Sequence, residues 1–458
     1  VVDTQEYDVV VLGAGSAGYA AAMRAAQLDM KVALIEEDKV GGTCLHRGCI
    51  PTKALLHAAE VADEMREGSS IGVLGTFGGI DVPALHAYKN GVIEKMYRGL
   101  TGLINARGVE TISGRGRLAG PDTVEVNGRP VRGTHIVLAS GSYSKTIGQN
   151  ITRRVITSEQ ALNLPVVPKS AIVLGGGVIG VEFASVWASY GTEVTVLEGL
   201  DRLVPNEDAA ISKNLERAFR KRKINFKTKT LFERVEETTD GVRVFTADGK
   251  EYTAEYLLIA IGRGPSTSNL GYEEQGIKLD RGFVVTDERL HTGIGSIYAA
   301  GDIVRGVQLA HRGFLQGIFV AEEIAGLNPK VIDENEIPKV TFCNPEIASV
   351  GLTEEKAAEK FGRENIKTVE FNLAGNGKSQ ILGTSGFVKL VRRKDGPILG
   401  FHAIGSRMGE QIGEGQLMVS WEAFPEDFDG MIHAHPTQNE SVGEAVLALA
   451  GKPLHTHN

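Results

Sequence analysis

Cysteine is nearly absent: the 458 residues contain three. That is too few for the disulfide framework that holds small secreted domains together. Long apolar runs are missing too. None approaches the ~20 residues that span a bilayer, so no membrane segment is expected. No basic-then-apolar leader stands ahead of Tyr7, and a cytoplasmic protein is the expected reading. Positive charge is not in excess, and the net charge of −8 argues against a general grip on nucleic acid. Glycine is what the chain has in quantity, with 57 residues. That suits many tight turns and close backbone approaches to ligands. The length allows roughly two to four domains, each with a full core.

Much of that glycine falls into a repeated pattern. Tyr7 to Glu36 read YDVVVLGAGSAGYAAAMRAAQLDMKVALIE, and Ser170 to Glu198 read SAIVLGGGVIGVEFASVWASYGTEVTVLE. Each has an apolar strand, a Gly-x-Gly-x-x-Gly turn, an Ala-rich helix and a second strand ending in Glu. The glycines are Gly13, Gly15 and Gly18 in the first copy, and Gly175, Gly177 and Gly180 in the second. First glycine and terminal acid are 23 residues apart in both. In such a unit one glycine makes the turn, one lets a pyrophosphate approach the backbone, and one lets helix and strand close up. The helix N-terminus then offers free N–H groups to the phosphates. Glu36 and Glu198 stand where an acid can accept a ribose hydroxyl. Two units imply two dinucleotides. A carboxylate at Glu198 repels a 2′-phosphate, so NAD is expected over NADP. Arg202, four residues on, is the one reservation.

Two of the three cysteines lie just after the first unit, in Gly41-Gly42-Thr43-Cys44-Leu45-His46-Arg47-Gly48-Cys49-Ile50-Pro51-Thr52-Lys53. On a straight α-helix they would be about 7.5 Å apart in rise and point about 140° apart. A disulfide needs Cα atoms within about 7 Å. The pair can join only where the segment bends. Gly48 permits unusual angles, and Pro51 should break the helical bond to Arg47. A distorted turn is expected here, with a helix from about Thr52 through Met65. A zinc half-site and two buried core thiols are the alternatives, but no further zinc ligands stand nearby in sequence.

This run resembles the redox-disulfide segment of the pyridine nucleotide–disulfide oxidoreductases. Other stretches extend the resemblance over essentially the whole chain: Ile136 to Ser142 (IVLASGS), Ile259 to Pro265 (IAIGRGP), Ile297 to Val304 (IYAAGDIV), Val307 to Gly317 (VQLAHRGFLQG) and Pro338 to Glu354 (PKVTFCNPEIASVGLTE). The resemblance implies an α/β fold of two Rossmann-like dinucleotide-binding domains, for FAD and NAD, plus a C-terminal α+β dimerisation domain. The boundaries expected are 1–148 for FAD, 149–268 for NAD, 269–337 returning to the FAD side, and 338–458 for dimerisation. A second long helix is expected near Tyr88 to Arg107.

The family match also assigns roles. Cys44 and Cys49 become the redox pair, with Cys44 outward and Cys49 against the flavin. His435 and Glu440, in HAHPTQNE, become the base and its orienting acid, although His433 and Glu444 lie close by. Gly13, Gly15, Gly18, Glu36, Thr43, Lys53, Ser140, Gly141, Gly301 and Asp302 fall to the FAD side. Gly175, Gly177, Gly180, Glu182, Glu198 and Gly262 fall to the NAD side, with Lys53 pairing Glu182. The first unit has Ala20 where the second has Glu182, so the fold alone does not require that acid. His46 and Arg47 replace the usual Asn and Val, and Ser140 replaces Thr. Cys343, where Thr is common, is expected to be an idle thiol. The branch matched best oxidises protein-bound dihydrolipoamide with NAD⁺. It implies a homodimer with shared active sites, lipoyl domains and the acyltransferase core of 2-oxo acid dehydrogenase complexes as partners, and no metal. Rivals are reductases of glutathione or mycothiol, which mostly use NADPH; a mercuric-ion reductase, whose C-terminal cysteine pair is missing; and a docking flavoprotein. His455 and His457 in the tail are expected to be frayed rather than metal-binding.

Overall fold

The first glycine unit folds as its pattern demands. β1 (Glu6–Leu12), α1 (Ser16–Gln27) and β2 (Val32–Glu36) form a parallel crossover. Val9, Val10 and Val11 are all buried, as expected of a parallel strand covered on both faces. Gly18 is dictated by packing, since a Cβ there would lie 1.8 Å from Gly13 O. The computed structural model describes residues 6–456. The region ahead of Tyr7 that was read as lacking a leader falls mostly outside them, and so does His457.

Three helices follow: α2 (Gly42–Arg47), α3 (Cys49–Glu67) and α4 (Val82–Ala106). Two expected starts are corrected. α3 begins at Cys49 rather than near Thr52. α4 begins at Val82 rather than near Tyr88, because the Asp81 side chain accepts from Ala84 N at 3.0 Å and Pro83 occupies the first turn. β3 (Glu110–Ser113), β4 (Gly116–Leu118), β5 (Thr123–Val126) and β6 (Arg129–Leu138) complete the sheet in the order β3-β2-β1-β6-β5-β4.

The second unit repeats the first. After β7 (Ser142–Ser144), β8 (Val155–Ile156) and α5 (Ser158–Ala161) come β9 (Ser170–Leu174), α6 (Val178–Tyr190), β10 (Glu193–Leu197), α7 (Ala209–Lys221) and β11 (Asn225–Lys227). A Cβ on Gly180 would lie 1.9 Å from Gly175 O, the same constraint as in the first copy. A meander of β12 (Phe232–Glu237), β13 (Val242–Thr246) and β14 (Glu251–Ala254) precedes β15 (Tyr256–Ile259). The parallel sheet then runs β11-β10-β9-β15-β8. β16 (Arg263–Pro265) pairs antiparallel with β7.

The chain then returns to the first sheet. After the hairpin β17 (Leu279–Asp280) and β18 (Phe283–Val284), β19 (Ile297–Ala299) pairs in parallel with β6. This carries Asp302 to the end of that sheet. α8 (Ala310–Ile324) lies against α1, and a Cβ on Gly317 would lie 2.3 Å from Ala17 O.

The last part is α+β. β20 (Lys339–Thr341), β21 (Glu346–Gly351), α9 (Glu354–Phe361), β22 (Ile366–Asn372), α10 (Gly377–Ile381), β23 (Phe387–Arg393) and β24 (Ile398–Gly405) lead to α11 (Ile412–Ser420), α12 (Pro425–Phe428) and α13 (Glu440–Leu449). The five strands form one antiparallel sheet in the order β20-β21-β24-β23-β22. Met418 of α11 and Val442, Val446 and Leu449 of α13 share a core with Leu390 and Phe401 of that sheet. Lys389 joins it to the second unit, with Nζ 2.9 Å from Asp208 Oδ1 and 2.6 Å from Glu354 Oε2, both lysine and Asp208 buried. His455 is not frayed, contrary to expectation. Its Nδ1 lies 2.8 Å from Glu444 Oε1, and its backbone N donates to Glu444 Oε2. Among the described residues no helix is long and apolar enough to cross a membrane.

Candidate active site

Cys44 rides on α2 and Cys49 opens α3, with Gly48 (φ −141°, ψ −107°) between the helices. A Cβ on Gly48 would lie 3.1 Å from Thr43 O, so glycine lets the two helix ends close up. Thr52 seals the break by donating Oγ1 and N to Gly48 O, at 2.6 and 3.1 Å. Pro51 breaks no helical bond, contrary to expectation. It sits in the first turn of α3, where an N–H has no partner within the helix.

The sulfurs are free thiols that hydrogen-bond to one another. The bond from Cys44 brings the Cys49 thiol down to about 7, and the Lys53 charge helps against burial. The same bond, together with burial, raises Cys44. Both directions favour negative charge at Cys49, the sulfur that opens α3 beside Lys53.

Both cysteines line a cleft of about 230 Å³ with Gly15, Thr43, Lys53, Gly141, Glu182, Gly301 and Asp302. Lys53 Nζ is 3.0 Å from both oxygens of Glu182. The Glu182 side chain is only 3% exposed and also accepts from Phe342 N at 2.9 Å, so this is no surface pair. Asp302 Oδ2 accepts from Ser142 Oγ at 2.5 Å. Arg263 pins Ser142 in turn, Nε donating to Oγ and Nη2 to its carbonyl, each at 2.7 Å. Sequence reasoning passed over Ser142 and Arg263. Both stand in motifs it quoted, but the β7–β16 pairing is what brings them together.

A second cleft of about 310 Å³ opens beside the same turn, lined by Gly13, Glu36 and Ser140 with Arg115 and Tyr143. The Ser140 hydroxyl is occupied, bonding Ser266 O at 2.6 Å and Tyr272 Oη at 2.9 Å. The two acids play matching parts. Glu36 accepts from Ala14 N and Asp38 N at 2.7 and 2.9 Å. Glu198 accepts from Gly176 N and Leu200 N at 2.6 and 2.7 Å. Arg202 turns away from Glu198, to the carbonyls of Pro205 and Glu207 and to Glu355. Gly262 (φ +106°) makes the turn after β15.

His435 Nδ1 lies 2.8 Å from Glu440 Oε1, and Glu440 Oε2 accepts from Thr437 N at 2.8 Å. Burial works against the Glu440 carboxylate, but the Thr437 N–H and the imidazole hold it below the usual range. The His435 side chain is 77% exposed. Among the described residues, neither member of this pair lines the cysteine cleft of its own chain. His46 faces away from the sulfurs, its Nε2 2.9 Å from Val40 O and its ring edge-on to Tyr97. Arg47 lines the cleft and pairs with Asp38 at 3.2 Å. Cys343 is buried, and burial raises its thiol well above the usual value. Among the described residues no group of acids, histidines and cysteines could hold a metal ion.

Residues 7–317 match the model of the pyridine nucleotide-disulphide oxidoreductases, and residues 337–446 match that family's dimerisation domain. The chain belongs to this family. Its relatives include the dihydrolipoyl dehydrogenases of Bacillus subtilis and Chlamydia pneumoniae, each 38% identical. The match covers 98% and 99% of this chain, and 99% of each relative. Among solved structures, LpdA of Mycobacterium tuberculosis superposes with a TM-score of 0.90 at 28% identity, over 97% of this chain and all of that one. The HOCl-induced flavoprotein disulfide reductase RclA of Escherichia coli gives 0.85 at 28%, over 96% and 99%.

As a pyridine nucleotide–disulphide oxidoreductase the chain is an enzyme whose cofactors are FAD and NAD(H). Its residues fit two dinucleotides. At Gly15 and Gly177 a built Cβ meets nothing within 4 Å, so the backbone is open to an approaching pyrophosphate. Neither helix start carries a side-chain cap, which leaves its N–H groups for phosphate oxygens. Each acid also keeps lone pairs for a ribose hydroxyl.

Proposed function

We propose that the enzyme oxidises protein-bound dihydrolipoamide to lipoamide and reduces NAD⁺ to NADH, as the flavoprotein component of 2-oxo acid dehydrogenase complexes. The observation that carries this reading is the cleft in which Cys44 and Cys49 stand together with Asp302 and the pair that Lys53 makes with the buried Glu182. The full-length likeness to dihydrolipoyl dehydrogenases supports the choice of dithiol.

In the oxidised enzyme Cys44 and Cys49 form a disulfide. His435 Nε2 takes a proton from the substrate dithiol, since the thiolate is the nucleophile. Glu440 holds the Nδ1 side and stabilises the imidazolium. The substrate sulfur attacks Cys44, the S–S bond breaks, and Cys49 leaves as a thiolate beside Lys53. The second substrate thiol then gives its proton to Cys44 as its sulfur displaces that cysteine, lipoamide departs, and His435 keeps the first proton. Bound FAD supplies the two-electron link between the enzyme dithiol and NAD⁺. Lys53 favours negative charge at its end of the cleft, and Glu182 orients the ammonium. Arg263 and Ser142 hold Asp302 for the ribityl hydroxyls. Glu198 favours NAD over NADP. The exposure of His435, away from the cysteines of its own chain, supports a homodimer in which each protomer lends this base to its partner.

Anaerobic titration of the yellow protein with dihydrolipoamide, then NAD⁺ or NADP⁺, tests the reading. Bleaching by the dithiol and reoxidation by NAD⁺ are expected. No bleaching refutes the dithiol. A preference for NADP⁺ refutes the role of Glu198.

A further inference from the structure

The loop that carries His435 holds a second imidazole–carboxylate pair, which the mechanism above does not use. His433 Nε2 lies 2.9 Å from Glu414 Oε1 on α11, with side chains 9% and 10% exposed. The other oxygen of that carboxylate accepts from Asn439 Nδ2 at 2.8 Å. One acid thus grips the loop on both sides of His435. The His433 ring also has a dedicated seat. A Cβ at Gly443, one turn into α13, would lie 2.5 Å from His433 Nδ1 and 2.7 Å from its Cε1. The ring therefore rests on the helix whose first residue is Glu440 and is tied to the neighbouring helix. Charge reinforces the tie, because the Glu414 hydrogen bond raises the His433 imidazole against burial. The charged groups that face the ring are Glu414 from α11 and Glu440 from α13.

We propose that Glu414, His433 and Asn439 form a positioning clamp that holds His435 and Glu440 at the angle from which the dithiol is deprotonated. This rests on the reading of His435 as the base. The His435 ring projects into solvent with Glu440 as its hydrogen-bond partner, so its direction depends on how the loop is held. A displacement of about 1 Å in a reacting group costs on the order of a hundredfold in rate. His433 and Glu414 are positioning residues: they act through the loop and touch neither sulfur.

Rapid mixing of the intact flavin-loaded dimer separates the two half-reactions. Reduction by dihydrolipoamide needs His435, and reduction by NADH does not. His433→Phe, which fills the seat without a hydrogen bond, should slow the dithiol half roughly ten- to hundredfold and leave the NADH half unchanged. Glu414→Gln, nearly isosteric, should act in the same direction. His433→Gln, which restores a donor, should recover most of the loss. Wild-type dithiol rates in both disrupting variants would overturn the clamp. So would an equal fall of both half-reactions in both variants, which marks a general loss of structure. If the unaltered enzyme is not reduced by dihydrolipoamide at all, the proposed reaction itself fails, and the clamp fails with it.

Discussion

Lys53 acts on the Cys49 sulfur through its charge. It lowers the Cys49 thiol and is held in place by Glu182. In Lys53→Met the cation is gone, while Glu182 remains as a charge that raises the thiol. The Cys49 midpoint must then climb relative to the unaltered enzyme. A pH titration of the long-wavelength thiolate–flavin absorbance in the reduced enzyme checks this, and an unmoved midpoint would show that Lys53 does not tune the sulfur. The candidate site residues could be picked out because they sit in short contiguous motifs: Cys44, Cys49 and Lys53 within one run, His435 and Glu440 within another. Arg263 and Ser142 could not, because their meeting depends on strand register rather than on sequence spacing. The exposure of His435 was equally invisible, since spacing along a chain does not say which way a loop faces.

At the level of elements, the two glycine units were readable in full, because each part of their pattern has a separate steric reason. Helix starts were less secure. The apolar pattern of α4 is clear only from the middle of the helix, while its true start is set by the Asp81 side chain ahead of Pro83. Asp81→Ala should cost about 1 kcal/mol. A thermal melt should fall slightly, with hydrogen exchange quickening first at Ala84 and its neighbours. An unchanged melt and exchange pattern would mean that Pro83 alone defines the start. The break between α2 and α3 was expected, but its place was misjudged: a proline near a helix start is a member of the first turn, not a breaker.

For the whole molecule, the second glycine unit is fastened to the C-terminal sheet by buried charge. Lys389→Met would leave Asp208 buried without its cation, a change that typically costs about 3–5 kcal/mol, and the denaturation midpoint should fall accordingly. His402 lies in the same region, wholly buried, its Nε2 donating to Leu352 O at 2.9 Å. Burial lowers its pKa from 6.5. The unfolded chain therefore binds a proton that the folded one refuses. The His402 contribution is intact above pH 6.5 and is lost as pH falls below it, by up to about 1.4 kcal/mol per pH unit. Denaturant midpoints measured from pH 7 to 5 should decline less steeply in His402→Gln. Equal slopes would place the acid sensitivity elsewhere. No local sequence pattern revealed this fastening, because its members come from three distant parts of the chain.

The matching carboxylates of Glu36 and Glu198 bear on attempts to redesign coenzyme choice. Beside the reading role proposed for it, each is a rivet that ties the glycine turn to the end of the neighbouring strand through two backbone N–H groups. Exchanging Glu198 for a small neutral residue would remove the charge proposed to disfavour a 2′-phosphate, and would also release Gly176 N and Leu200 N. The turn that cradles the pyrophosphate would loosen along with the discrimination. A switch towards NADP in this scaffold therefore calls for a cation added nearby with Glu198 kept, because a glutamine there could accept from only one of the two N–H groups.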